Sequence, residues 1–436
     1  MTKSKIAVVG SGISGLSAAW LLAKHHHVTV YEAANYAGGH SNTVDVTLNG
    51  ISHPVDTGFL VHNDRTYPNL IALFKHIGID TPASDMSFSV KLPLVNVEWA
   101  GATLGTLFAQ KRNLFRPSFW RMIRDILNFN KRAHDLLASV QDGDMSLGQL
   151  LDREGYSREF REWYLLPMGA AIWSSPMDDM ADFPAKTFIQ FCLNHGLLQI
   201  NDRPQWKSIR GGSRVYVERL CADIRAHDGH VLLNTPVQQV TRHADGVHIA
   251  TANGVDVFDQ VVMACHTDQS LALLTDAHAQ EKAVLAAVRY QPNTAYLHTD
   301  ENLMPMRKSA WSAWNYYAGA SQAGEFPVAV TYWLNRLQPL PFDQAVMVTL
   351  NPPEPPKASE TLAVIDYAHP LLDGAAYQAQ QALPSIQGLD RVYFAGAWAS
   401  YGFHEDGLKS GLAVANLLGV YAPWQNAEDQ SLERAA

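Results

Sequence analysis

Residues 5–33, KIAVVGSGISGLSAAWLLAKHHHVTVYEA, decide the fold. Ile6 to Val9 form a short apolar, β-branched run stopped by glycine, which predicts a buried strand. The alanine- and leucine-rich segment that follows predicts a helix to about Lys24, and Val28 to Tyr31 predict a second strand. Gly10, Gly12 and Gly15 fall between the first strand and the helix. The first permits a tight turn, the second lets backbone N–H groups approach a phosphate, and the third lets the helix pack closely on the strand. A helix N-terminus adds partial positive charge there. Glu32, closing the second strand, is placed to accept a hydrogen bond from a ribose hydroxyl. Strand, helix and acid in register point to a bound dinucleotide. The histidines 25–27 sit in the connecting turn, where consecutive side chains diverge, so they read as a solvated loop and not as a metal site.

Past residue 80 the pattern changes to longer helical segments rich in aromatics, as far as about Trp206. The segments IRGGSRVYVERL, HVLLNTPVQQV and FDQVVMACH then return to a helix followed by strands. A second excursion runs over about 280–385 and includes the Pro-rich NPPEPPK (351–357), before RVYFAGAWASYGFHEDGLKSGLAVANLLG gives a strand, a glycine-rich crossing and a helix. The expected architecture is α/β. A Rossmann-like domain is assembled from 1–80, 207–275 and 385–425, an α+β substrate domain is inserted as 81–206 and 276–384, and 426–436 form a polar tail.

Composition narrows the class. The 436 residues are 47% hydrophobic, enough to fill a large core. A formal charge of −9 argues against general nucleic-acid binding. Three scattered cysteines, Cys192, Cys221 and Cys265, fit reduced thiols in a cytoplasmic protein and are assigned to packing. Lys3 and Lys5 precede an apolar stretch, but its glycines belong to the dinucleotide motif, so it is not read as a secretory signal. Elsewhere no run of about 18 apolar residues suggests a transmembrane helix. Neither composition nor pattern indicates an oligomeric state.

The acidic residue is followed by Gly38-Gly39-His40, and the C-terminus carries RVYFAGAWAS and EDGLKSGLAVAN. With the glycine motif, these make the chain resemble the FAD-dependent amine oxidase and phytoene desaturase superfamily, at both ends of its length. The resemblance implies non-covalent FAD, since the closing segment has no cysteine. It implies cofactor contacts from Gly10, Gly12, Ile13, Ser14, Gly15, Glu32, Ala33, Gly39 and His40, from Val237 in NTPVQQV beside adenine, and from Gly396 and Ala397. It also implies that backbone around Asp406, Gly407 and Leu408 opens the last helix against the flavin, where the helix end favours a negative reduced ring. His40 departs from the usual arginine: imidazole offers one donor where guanidinium offers two. Either the pyrophosphate rests more on backbone amides, or His40 is protonated beside it, or His40 only fills a turn. The run GGHSNTV with VDTGFLVHNDRTYPNL is similar to a narrower bacterial group associated with fatty acyl modification, including a desaturase of methylated acyl chains on the way to furan fatty acids.

The inserted segments offer substrate candidates. The family's cavity lies between the two insertions, which implies that residues around Leu165 to Trp173 line it; SAWSAWNYYAG, with Trp311, Trp314, Tyr316 and Tyr317, either lines a tunnel or fills core. Trp173, Trp398, Tyr401 and Phe403 are the substrate candidates, with Trp398 and Tyr401 as one wall. His404 or Glu405 either takes a proton from carbon or supports the cofactor loop. Residues 111–132 hold seven cations and one acid. A helical projection from Ser118 places Phe119, Met122, Ile123, Ile126, Leu127, Phe129 and Ala133 opposite Arg121, Arg124, Asn128 and Arg132. That helix either lies on an anionic bilayer, peripherally on the inner membrane face, or is ordinary architecture.

The leading expectation is an FAD-dependent oxidoreductase that desaturates a methylated or unsaturated acyl chain of membrane lipid, passing hydride to flavin and a proton to a base. The alternatives are a soluble amine oxidase, a flavin-dependent fatty acid double-bond isomerase, and a non-catalytic flavoprotein.

Overall fold

The computed structural model describes residues 3–140, 145–173, 177–199, 203–318 and 328–425. The expected polar tail lies outside them. Five parallel strands form one sheet in the spatial order Val392–Phe394, Gln260–Met263, Lys5–Val9, His27–Tyr31, His230–Leu232. Lys5–Val9 is central and buried from Ile6 onward. Its continuous apolar run is what a parallel strand covered on both faces requires. Neighbours in this sheet come from opposite ends of the chain, so it closes only when the C-terminal strand is in place. His27 opens the second strand and is not in the turn, and the Nδ1 of His26 accepts from the amide of Ser4 at 3.3 Å.

Helix Ile13–Leu22 has every residue buried, because a second helix, His404–Leu417, lies across it. Two glycines of the latter make the crossing possible. A Cβ on Gly411 would stand 2.2 Å from Ser17 Oγ and 2.3 Å from the Ser14 carbonyl oxygen, and one on Gly407 would stand 2.7 Å from Ile13 Cγ2.

A second sheet of seven strands runs in the order Thr361–Leu371, Arg289–His298, Met347–Leu350, Val328–Trp333, Trp314–Ala318, Phe88–Leu92, Val97–Ala100. Its pairs are antiparallel except Trp314–Ala318 with Phe88–Leu92. Both long excursions therefore feed one sheet. Helical segments over 117–194 pack beside it, with aromatics such as Phe119, Phe129, Phe160 and Phe188 fully buried among them. The helix Pro117–Ala138 buries Phe119, Met122, Phe129, Ala133 and Leu136 as its periodicity predicts. Two positions depart from that reading. Leu127 is exposed, and Asp125 is buried because its Oδ2 accepts from the Ser157 amide at 3.0 Å.

Candidate cofactor cradle and substrate chamber

The carboxyl ends of the parallel strands face the seven-stranded sheet across a cavity of about 720 Å³. Open α/β sheets bind ligands at that end. One part of its wall is a cradle of glycines. Gly10 has φ +106° and donates its N–H to the Tyr31 carbonyl at 2.9 Å. A Cβ there would press on Ala264 O at 2.8 Å, and one on Gly15 would lie 2.0 Å from Gly10 O. At Gly12, by contrast, a Cβ would meet nothing within 4 Å. Gly10 and Gly15 are thus needed by the protein's own packing, whereas the space at Gly12 is left open to the cavity. No side chain caps helix Ile13–Leu22, so its first-turn amides are left for a ligand. Gly38 and Gly39 form a second glycine turn against the first: Gly38 N donates to Ser11 O at 3.0 Å, and a Cβ on Gly39 would come within 3.3 Å of Gly12 Cα. This cradle fits a dinucleotide diphosphate.

Glu32 lines the cavity at the end of the second strand. Its Oε2 accepts from Ser11 N at 2.9 Å and Ser11 Oγ at 2.5 Å, and its Oε1 from Ala34 N at 2.8 Å. It therefore fixes the glycine loop as well as offering spare lone pairs to a ribose. Ile13, Ser14, Ala33, Val237, Gly396 and Ala397 line the same cavity. Asp406, Gly407 and Leu408 do not. Asp406 Oδ2 accepts from Phe403 N at 3.0 Å and closes the start of the last helix, Gly407 packs on Ile13, and Leu408 is core. The first turn of that helix reaches the cavity through Phe403 and His404 instead.

Of the two candidate bases, Glu405 is corrected by the structure. Its Oε1 accepts from the amide and side chain of Asn69 at 3.0 and 2.8 Å, and its Oε2 from Leu70 N at 2.9 Å, which ties it to the start of helix Pro68–Ile77 and away from the cavity. Burial pushes its carboxyl up, against those hydrogen bonds. His404 does line the cavity. Its ring stacks on Phe59 at 3.8 Å, and its Nε2 lies 2.7 Å from the Tyr216 hydroxyl, which in turn meets Ser41 Oγ. Burial, with the nearby His62, lowers its pKa to about 3, so it is neutral.

His40 also borders the cavity, stacked on Tyr367 at 4.8 Å and close to His369 at 5.3 Å and His266 at 6.5 Å. Burial first, then the neighbouring imidazoles, lowers its pKa to about 3, and His369 is held at about 4 by the same causes. His40 is therefore uncharged. The sequence reading missed His266, Tyr290, Tyr367 and His369, which complete this wall. His266 had a usable signal, since ACH follows directly on the strand Gln260–Met263 at the sheet's ligand-binding end. His369, on a long antiparallel strand, had none.

The chamber beyond is apolar and aromatic. Trp173, Trp398, Tyr401 and Phe403 all line it, joined by Met86, Ile172, Trp314, Tyr332 and Leu350. The Trp398 ring folds back over Gly396, whose Cβ would otherwise lie 2.2 Å from Trp398 Cδ1. Leu165 is core, and of the four aromatics in SAWSAWNYYAG only Trp314 lines the cavity; Trp311 packs on Trp333 and Tyr316 is fully buried. Among the described residues, Glu32 is the single Asp, Glu, Lys or Arg in the whole lining.

The arginines of the basic helix are not a free cationic face. Arg121 pairs with Glu159, Arg124 with Asp125 and Arg132 with Glu154.

The family model for flavin containing amine oxidoreductases matches residues 13–344. No curated protein sequence matches the chain. Among solved structures, a CLA-producing fatty acid isomerase from P. acnes superposes with a TM-score of 0.64 at 14% identity, over 95% of this chain and 98% of that one. Putrescine oxidase bound to putrescine gives 0.64 at 17%, over 95% and 99%. Cyclohexylamine oxidase from Brevibacterium oxydans IH-35A gives 0.66 at 17%, over 96% and 100%. At such identities the likeness shows the fold, and none of these proteins is named for acyl desaturation, so the narrower furan fatty acid resemblance gains no support. With the model spanning most of its length, the chain belongs to the flavin-containing amine oxidoreductase family, with a Rossmann-like FAD-binding fold and an inserted substrate domain.

Proposed function

We propose that this protein is an FAD-dependent oxidase of neutral, lipophilic amines. The observation that carries the reading is the lining of the chamber, which holds aromatic and aliphatic side chains and no ionised group beyond Glu32 at the cradle. A charged ammonium or a second cationic centre would be desolvated there without a partner, a cost of several kcal/mol. A neutral monoamine enters without that cost. The family match and the amine oxidases among the structural relatives favour this alternative over acyl desaturation. Bound FAD would supply the hydride acceptor and oxygen the reoxidant. The chain's own residues position the amine between aromatic walls that include Trp398 and Tyr401, exclude water, and keep the wall uncharged through the neutral His404.

Non-covalent attachment belongs to the same reading. Cys265 lines the cavity, but burial pushes its thiol up to about 11, with Ser270 Oγ 3.3 Å away, so it is a poor nucleophile. We assign the cofactor to the parts formed by 1–80, 207–275 and 385–425, and the substrate domain to 81–206 and 276–384, with Trp398, Tyr401 and Phe403 closing the chamber from the cofactor side. A cytoplasmic location fits three unpaired cysteines, and no helix among the described residues is long and apolar enough to cross a membrane. Peripheral bilayer contact belongs to the same reading, through a surface other than the ion-paired face of Arg121, Arg124 and Arg132.

A second reading, an acyl desaturase or double-bond isomerase, is favoured by the same uncharged lining. Anaerobic mixing of FAD-loaded protein with lipophilic monoamines, diamines and a lipid extract separates the readings. Bleaching by monoamines, with hydrogen peroxide in air, supports the oxidase. Bleaching by lipid alone, with one acyl species losing two mass units, replaces it with the desaturase; acyl isomerisation without any electron acceptor replaces it with the isomerase.

A further inference from the structure

Large apolar side chains stand out into solvent around one edge of the seven-stranded sheet. Leu104 is 77% exposed, Phe115 87% and Met306 82%, and Leu94, Leu114 and Trp120 are also exposed. They come from separate stretches of chain that converge on the edge strand Val97–Ala100. The turn Pro93–Val95 is joined to the segment Lys111–Phe115 by hydrogen bonds from Arg112 to Asn96 O and from Arg116 Nη1 to Val95 O at 3.1 Å. Trp120 Nε1 donates to Leu114 O at 2.9 Å, fixing the indole beside Phe115. Met306 N and the Arg307 guanidinium bind the two carboxylate oxygens of Glu98, on the edge strand itself, at 3.0 and 2.9 Å. The short helix Leu104–Leu107 follows that strand and touches the turn Lys308–Ala310.

Isolated exposed leucines need no explanation, but six protruding apolar side chains on segments gathered around one edge strand do. The charge around it identifies the partner. Residues 99–124 contain no Asp or Glu and five cations, Lys111, Arg112, Arg116, Arg121 and Arg124, in a protein whose formal charge is −9. Arg121 and Arg124 are neutralised by neighbours, as described above. Lys111 and Arg112 are exposed and have no carboxylate within ion-pair distance among the described residues, whereas the Arg116 guanidinium is held over the Trp163 ring by Val95 O and Ser118 Oγ. Apolar tips, an indole with a satisfied N–H, and unpaired cations in one patch are the components of an interfacial anchor: the tips enter the acyl boundary, the indole sits at headgroup depth, and the cations meet anionic lipid.

We propose that this patch, formed by Leu94, Leu104, Leu114, Phe115, Trp120 and Met306 with Lys111 and Arg112, docks the protein on an anionic lipid bilayer. Docking is independent of which carbon the chamber oxidises, and it would give the enzyme access to substrates that partition into lipid.

The test is sedimentation of the full FAD-loaded chain with vesicles of equal phosphatidylglycerol and phosphatidylcholine, and with phosphatidylcholine alone. The parent should sediment with the anionic vesicles, release as salt is raised, and bind phosphatidylcholine at least tenfold more weakly. The double variant Leu104→Glu/Phe115→Glu should lose at least tenfold in binding at every salt concentration. Lys111→Glu/Arg112→Glu should lose binding most at low salt. Because all four side chains are exposed, the variants should keep flavin content and melting temperature. Arg132→Glu, at the ion-paired end of the helix, should bind as the parent does. A parent that ignores anionic vesicles, or a Leu104/Phe115 variant that sediments equally, overturns the proposal. So does a concentration-dependent dimer that the same variant dissolves, which would assign the patch to a second copy of the chain.

Discussion

The cradle end of the cavity and its chamber end are walled by different kinds of surface. The cradle is backbone: three glycines at 10, 12 and 15, a second pair at 38 and 39, and a helix start with no side-chain cap. The chamber is side chain: tryptophans, tyrosines and aliphatics borne by a sheet and by the helix Leu166–Trp173. Backbone recognition tolerates almost no change, because any substituent adds a Cβ where the neighbour is a carbonyl or the ligand itself. Side-chain recognition can be retuned one ring at a time without moving the sheet beneath. The contrast explains how one cofactor site can serve many substrates.

The sharpest way to break that contrast is at the glycines. Gly15→Ala places a methyl 2.0 Å from a carbonyl oxygen and should abolish soluble, yellow protein. Gly12→Ala meets open space, so it should leave the melting temperature of the cofactor-free protein unchanged while weakening FAD binding more than tenfold, about 1.4 kcal/mol. If the two variants behave alike, by melting and by flavin titration, the distinction between packing glycine and ligand glycine is wrong.

Acid should come next in magnitude, and it strikes both ends together. His40 and His404 are held at about 3, and His62, His195, His298 and His369 at about 4, chiefly by burial. Each is neutral when folded but takes up a proton near pH 6.5 when unfolded. The unfolded state therefore binds more protons below about 6.5. Stability is full above that pH and is lost as pH falls toward 4. Urea midpoints should be flat from pH 8 to 7 and drop steeply between 6 and 4.5; a flat profile through that window would refute buried neutral imidazoles.

At the chamber end, Leu350→Phe should raise KM several-fold for bulky amines and leave flavin content unchanged, by steady-state kinetics and absorbance. Smallest of all, Glu405→Gln should cost about 1 kcal/mol of stability at the start of helix Pro68–Ile77, by thermal melting, with the pH dependence of turnover unmoved. A shifted pH profile would return Glu405 to the chemistry.

Legibility followed the same division. Backbone recognition writes itself into sequence as fixed glycine spacing, so Gly10, Gly12, Gly15, Gly39 and the flanking Glu32 could be placed before any coordinates. Chamber residues have no such spacing. Trp173, Tyr401 and Trp314 reach the cavity while Leu165, Trp311 and Tyr316 do not, a matter of which way each ring turns in the packed protein. Glu405 and Asp406 show a subtler failure. They sit beside the site in sequence, yet helical rotation sends one to cap another helix and the other to close its own. The arginines of 121, 124 and 132 looked like one face, but Arg124 pairs with its own neighbour Asp125, and the partners of Arg121 and Arg132, Glu159 and Glu154, lie in the following segments, beyond any helical projection of 118–133.

The crossing of helix Ile13–Leu22 by helix His404–Leu417 has a consequence for biosynthesis. The first helix is buried on every side, and its cover is made roughly 390 residues later. On the ribosome it must wait, sticky and half-housed, until His404–Leu417 has emerged, which makes this region a natural client for chaperones and places assembly of the nucleotide cradle after synthesis of that helix.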